Sequence, residues 1–145
     1  MKRFFLSLTC LILVSTAAFA GKDKAITVDQ LPQTARQFIK EYFAAIEVSY
    51  AKMESEVFDK SYEVILVNGC KVEFDKKGEW TDVDCKYSEV PAGIVPQKIQ
   101  EFITKNQPSA KVIEIDRDSR DYELKLDNRV ELKFDLKENF MGYDD

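Results

Sequence analysis

Apolar residues recur along this chain with two different periods, and the periods alternate in blocks. Leu31, Ala35, Phe38, Ile39, Tyr42, Phe43 and Ile46 follow one another at helical spacing and form one stripe on an α-helix. Pro32 suits the first turn of that helix, where its missing N–H is not needed. Val95, Ile99, Phe102 and Ile103 repeat the stripe, opened by Pro96 and closed before Pro108. After each helix the period drops to two. Tyr122, Leu124 and Leu126 alternate with Glu123, Lys125 and Asp127, and Val130, Leu132, Phe134 and Leu136 alternate with Glu131, Lys133 and Asp135. Such alternation predicts antiparallel strands with one covered face, joined here by a turn at Asp127-Asn128. An earlier block predicts the same elements at 62–67, 70–75 and 79–85, with turns at Asn68-Gly69 and Lys77-Gly78. Residues 48–54 and 111–116 predict a leading strand in each block. Each block reads as one helix and four antiparallel strands, and 86–94, with Pro91 and Gly93, as the connector.

The two blocks are copies. Leu31–Ile39 aligns without a gap to Val95–Ile103 at an offset of 64, with Pro, Gln, Phe and Ile recurring in place. Lys60–Val64 aligns to Arg120–Leu124, and Val72–Asp75 to Leu132–Asp135, both at an offset of 60. The second copy is therefore four residues shorter between its helix and its Tyr-Glu strand. A solenoid needs about three or more units to bury their faces. Two copies predict instead an α+β fold of two α-β-β-β-β repeats, about 26–86 and 90–145, building one antiparallel sheet with two helices on one face.

The first twenty residues stand outside this pattern. Lys2 and Arg3, an apolar run from Phe4 to Val14, and Ala18-Phe19-Ala20 have the charged, hydrophobic and small-residue regions of a secretory signal peptide. The run is shorter than the roughly 20 residues of a spanning helix. Cleavage is expected before Gly21, leaving 125 residues as a single domain, periplasmic or secreted, with no membrane insertion. Loss of Lys2 and Arg3 leaves 19 basic against 26 acidic side chains, so the formal charge moves from −5 to −7. That balance disfavours nucleic acid as a partner.

Little in the chain carries chemistry. There is no histidine, which removes the residue most used for acid–base work near neutral pH and the commonest zinc ligand. The five glycines are spread across turns and form no phosphate loop. Carboxylate pairs such as Asp82/Asp84 and Glu54/Glu56 sit at strand spacing and read as surface charges, since a catalytic pair needs burial to separate its pKa values. Asp116-Arg117-Asp118-Ser119-Arg120-Asp121 has alternating acids, but it lacks the turn glycine and closing glutamate of a calcium loop and reads as a turn between strands. No catalytic residue, cofactor or metal is expected, and the chain is expected not to be an enzyme.

Cys70 and Cys85 lie on consecutive predicted strands in a compartment that permits disulfides. A two-residue loop at Lys77-Gly78 sets Cys70 opposite Cys85. A three-residue loop with Gly78 left-handed instead pairs Phe74 with Trp80 and sends the cysteines to opposite faces. Both registers remain open on sequence. No Cys-x-x-Cys exists, so a redox-catalytic role is not expected.

On the sheet face away from the helices the copies differ. The second presents Glu123, Lys125, Glu131 and Lys133, whereas the first presents Glu63, Ile65 and Val67, joined by Trp80 if the two-residue loop holds. A contiguous apolar patch on a solvated sheet marks a partner site, with an aromatic anchor supplying much of the energy. The competing reading is that a loop, the terminal Phe140–Tyr143 segment or a dimer mate covers it.

Several motifs in order, Leu-Pro before the helix, Tyr62-Glu63-Val64, Asn68-Gly69, the run from Val72 to Trp80, and the run from Val90 to Pro96, resemble the secreted PepSY-like family, also described as β-lactamase-inhibitor-like. The resemblance spans about residues 26–140. It implies a fold similar to β-lactamase inhibitor proteins, with two repeats sharing a sheet, and an envelope location in Gram-negative bacteria; it brings no catalytic motif. The expectation is a non-catalytic binding module with a protein partner, an inhibitor or regulator of an envelope enzyme, working through the open sheet face or loops. The alternative is a structural envelope protein that self-associates as a homodimer through the same patch.

Overall fold

The computed structural model describes residues 22–144; the expected signal peptide lies outside them. A short strand β1 (Lys24–Ala25) and one 3₁₀ turn lead into α1 (Gln33–Tyr42) and strands β2 (Val48–Ser55), β3 (Lys60–Leu66), β4 (Lys71–Phe74) and β5 (Trp80–Asp84). A second 3₁₀ turn, Ala92–Ile94, leads into α2 (Gln97–Asn106), β6 (Val112–Arg117), β7 (Asp121–Leu126), β8 (Glu131–Asp135) and β9 (Phe140–Asp144). All nine strands join one antiparallel sheet in chain order. The architecture is α+β, with the helix and four strands of one repeat followed by those of the next.

Pro32 sits one step earlier than expected, and Pro96, which opens the second helix, takes the same place. Pro32 and Pro96 are the extended N-caps, at φ near −53° and −54°, and their carbonyls accept from Arg36 and Gln100. Helix α1 stops at Tyr42, short of its apolar stripe, yet Phe43 and Ile46 beyond it still pack on the core.

The inward face of the sheet and the helices form one core. Val64, Val72, Phe74, Val83, Ile115 and Phe134 have no solvent exposure at all. At its two ends the same aromatic arrangement recurs. Phe38 of α1 meets Phe74 edge-on at 5.6 Å and Trp80 at 6.3 Å, and Phe102 of α2 meets Phe134 edge-on at 5.3 Å and Phe140 at 4.4 Å. Such contacts add about 0.5–1.5 kcal/mol each beyond the area they bury.

The four extra residues of the first copy lie in the β2–β3 hairpin. Met53↔Tyr62 there corresponds to Arg117↔Tyr122 in the second copy, but β2 and β3 continue through Glu54↔Ser61 and Ser55↔Lys60. The tip then exposes Val57 and Phe58 almost fully, where the β6–β7 turn has Ser119 and Arg120.

Neither expected register for the cysteine hairpin holds alone. Asp75 pairs with Glu79, Gly78 is left-handed at φ 81°, and Phe74 faces Trp80, as the three-residue loop requires. Thr81 is then an extra residue, and the pairing resumes at Glu73↔Asp82, Val72↔Val83 and Lys71↔Asp84. This bulge moves the strand by one residue, and a one-residue shift turns every later side chain to the other face. Cys70 and Cys85 consequently face each other and are joined as a disulfide, with Cα atoms 4.0 Å apart. The bulge recurs at Met141 in the β8–β9 hairpin.

Candidate functional site

The sheet face turned away from the helices is open to solvent, and register decides what it carries. Lys52, Glu63, Glu73, Asp82, Asp116, Glu123 and Lys133 form one row across the strands. Ile65, Lys71, Asp84, Glu114, Lys125 and Glu131 form the next. Acids on the flanks have lysine partners. Lys52 reaches Glu54, and Glu63 at 3.8 Å; Lys125 reaches Glu131 at 3.3 Å; Lys133 reaches Glu123 at 2.8 Å and Asp121 at 3.2 Å.

Most acids in the middle have none. Strands β5 and β6, where the repeats meet, carry Asp82-Val83-Asp84 and Glu114-Ile115-Asp116, and register sets acid opposite acid on both sides of the Val83↔Ile115 pair. Val83 and Ile115 turn into the core, so all four carboxylates turn to the open face. Lys71 reaches one of them, at 3.4 Å from Asp82, and also Glu73 at 2.8 Å. Asp84, Glu114 and Asp116 have no ion-pair partner among the described residues. A shallow depression of about 100 Å³ opens beside them, bordered by Glu114, Asp116, Glu123, Lys125, Glu131 and Asp144.

Asp82 is the most constrained of these acids. Its residue is 7% exposed and its Oδ1 is buried without a hydrogen-bond partner. Burial raises its pKa to about 7; Lys71 works against the rise and Glu73 and Glu114 reinforce it. Burial also raises Glu114, helped by Asp84, and raises Asp116, helped by Glu123. Burial opposes the charge of Lys71, but Glu73 and Asp82 outweigh it and its pKa is raised. Like-charged neighbours directly across strands are destabilising, so this strip costs the fold stability.

The residues singled out on sequence are not all in one place. Glu63 and Ile65 lie on the open face, Ile65 half-buried between Tyr50 and Lys71. Val67 follows the end of β3 and is exposed, its N–H donating to the Glu47 carbonyl. Trp80 is on the other face, because the three-residue loop sets it opposite the buried Phe74. It packs on Phe38, with the Arg117 guanidinium 4.2 Å over its ring and donating to its carbonyl at 2.7 Å. Ile65, Val67 and Trp80 therefore form no common patch. Phe140–Tyr143 belongs to β9 at the far edge of the sheet and does not cover Ile65. The expectation of a surface pair at Asp82/Asp84 needs correction at Asp82, which is buried. Matching Asp-Val-Asp to Glu-Ile-Asp across the repeat junction is the signal that would have found the strip. The Asp118–Asp121 turn satisfies itself, Asp118 accepting from the Arg120 and Asp121 N–H groups and pairing with the Arg120 guanidinium. No cluster of three metal-ligating side chains occurs among the described residues.

Known structures share this fold closely. A protein of Bacteroides thetaiotaomicron described as a "putative calcium-regulated periplasmic protein" is 58% identical, with a TM-score of 0.83 over 85% of this chain and 97% of that one. A "putative periplasmic protein from DUF2874 family" of Bacteroides vulgatus is 53% identical, with a TM-score of 0.83 over 87% and 99%. A third, from the same species and of unknown function, is 36% identical, with a TM-score of 0.81 over 86% and 100%. No curated protein matches the chain. The chain is a periplasmic or secreted protein like these neighbours, and no described helix is long and apolar enough to cross a membrane. A family model described as "Putative beta-lactamase-inhibitor-like, PepSY-like" matches residues 60–142, more than half of the 145. The chain belongs to the PepSY-like, β-lactamase-inhibitor-like family.

Proposed function

We propose that this protein is a non-catalytic binding module of the bacterial envelope, acting as an inhibitor or regulator of an envelope enzyme through its open sheet face. One observation carries the reading: both helices cover the same face, so nine strands present a second, broad face to solvent. Such a face can engage a partner of standard interface size, about 800 Å² a side. The family description as inhibitor-like supports the same reading. The lack of any histidine argues against acid–base turnover near neutral pH.

The test is crosslinking capture of the partner from native envelope, comparing the unaltered protein with Ile65→Glu on the open face and Arg36→Glu on α1. Capture is expected to fall at least tenfold for Ile65→Glu and to persist for Arg36→Glu. Equal capture by all three overturns the open-face reading. Size-exclusion chromatography across a concentration series separates it from self-association: a concentration-dependent dimer lost in Ile65→Glu would favour a structural homodimer instead.

A further inference from the structure

We propose that the acidic strip at the repeat junction docks a basic segment of a protein partner, whose arginine or lysine side chains enter between Asp84, Glu114 and Asp116 and complete the coordination of Asp82. This rests on the binding-module reading above and names the chemistry of its ligand.

Three observations converge on it. The strip holds four carboxylates on two neighbouring strands, and among the described residues the one ion pair made to them is Lys71 with Asp82; Lys125, across from Glu114, pairs with Glu131. On its flanks Lys52, Lys125 and Lys133 each stand in ion-pair reach of acids, whereas Asp84, Glu114 and Asp116 have no such partner among the described residues. Asp82, in the middle of the strip, is more than nine-tenths buried and leaves Oδ1 unpartnered. A buried acceptor without a donor costs about 1–3 kcal/mol, more when charged. Asp82 sits on the face opposite the helices, so the groups that hide it are same-face side chains such as Lys71, which an incoming cation can displace.

The shape of the strip selects the cation. No three of its acids converge as metal ligands do, and Lys71 already stands 3.4 Å from Asp82, where a divalent ion would be repelled. The strands that carry these acids lie roughly 4.8 Å apart. A guanidinium, planar and with donors on two edges, bridges that gap without needing them to converge. A lysine ammonium supplies the same charge with less geometric fit.

The probe is an acetylated hexa-arginine amide titrated into isotope-labelled protein of residues 21–145, followed by amide chemical shifts. Saturable shifts are expected at 82–84 and 114–116, with affinity falling at least fivefold between low and physiological salt. Hexa-lysine is expected to bind the same amides more weakly. In the triple variant Asp84→Asn, Glu114→Gln, Asp116→Asn, whose side chains are isosteric and solvent-facing, affinity is expected to fall at least tenfold. Glu41→Gln with Glu101→Gln, on the helices, is the control and is expected to bind normally. Shifts scattered over all acidic surfaces, or an unchanged affinity in the triple variant, would overturn the proposal. So would calcium chloride moving the same amides while hexa-arginine does not, which would make the strip a metal site. Envelope capture that survives the triple variant but is lost in Ile65→Glu sinks this inference alone and leaves the binding-module reading standing.

Discussion

Asp82 shows how a residue's surroundings set its chemistry against its type. Its carboxyl is held protonated until about pH 7 in the fold, whereas an unfolded aspartate loses its proton near pH 4. Between those limits the native state keeps a proton that the unfolded chain releases, so stability falls as pH rises through the window and levels off above it. The size of the effect is on the order of 4 kcal/mol for a shift of about three units. Glu114 and Asp116, raised in the same sense, add to the slope. Asp82→Asn removes the largest contributor. Urea unfolding at pH 5 and 8 is expected to show a clearly smaller pH difference in the variant than in the unaltered protein. Equal slopes would mean that Asp82 is ionised throughout. None of this was legible in the strand pattern, which says correctly that Asp82 faces away from the core but not that its neighbours bury it there. Facing is a property of the strand; burial depends on which side chains the adjoining strands set beside it, and the β5–β6 register joins residues thirty or more positions apart.

At the scale of elements, the repeat lets one copy serve as the control for the other. Asp75 and Asp135 open equivalent turns, each accepting from the N–H groups two and four residues on. The left-handed position is Gly78 in the first turn, at φ 81°, and Glu138 in the second, at φ 65°. Gly78 also lies against α1, where an added Cβ would stand 2.6 Å from the Pro32 Cβ and 3.0 Å from the Ala35 nitrogen. Gly78→Ala therefore meets both strain and a clash and is expected to cost about 2–4 kcal/mol. Glu138→Gly relieves the same strain and is expected to gain up to about 1 kcal/mol, less the added freedom of the unfolded chain. Thermal melts of both variants check the pair, and a neutral Gly78→Ala would show that α1 yields there. The cysteines belong to the same hairpin. A bridge across a separation of 15 residues stabilises by about 3 kcal/mol in the chain-entropy account. Cys70→Ser with Cys85→Ser should lower stability by that order, and the unreduced protein should weigh two hydrogens less than the reduced one; equal masses would leave two free thiols. Helices, hairpins and the left-handed Gly78 were all readable from periodicity and turn residues. The bulge at Thr81 was not, because nothing local distinguishes a bulged threonine from a paired one, and it alone decides whether the cysteines meet.

At the scale of the whole molecule the question is whether two repeats make one folding unit. Strands β5 and β6 pair at three positions, and the backbone ladder continues through Cys85 to Ile113 and Val90 to Val112 at 2.8 Å each. The buried apolar side chains of both repeats form one cluster running from Leu31 to Phe134. Arg117, from the second repeat, stacks on Trp80 of the first and donates to its carbonyl. A repeat cut free would expose the junction edge and half of this core, so the two are expected to unfold together, as small single domains do. Trp80 is the only tryptophan, and Phe140 occupies its place in the second repeat, each packed on the phenylalanine of its own helix. The double variant Trp80→Phe, Phe140→Trp moves the fluorescent reporter from one repeat to the other without leaving the aromatic framework. In each protein, urea unfolding followed by fluorescence and by far-ultraviolet circular dichroism should give coincident midpoints. If the fluorescence midpoint leads or lags in either protein, the repeats open separately, and the acidic strip between them would then be the seam at which they part.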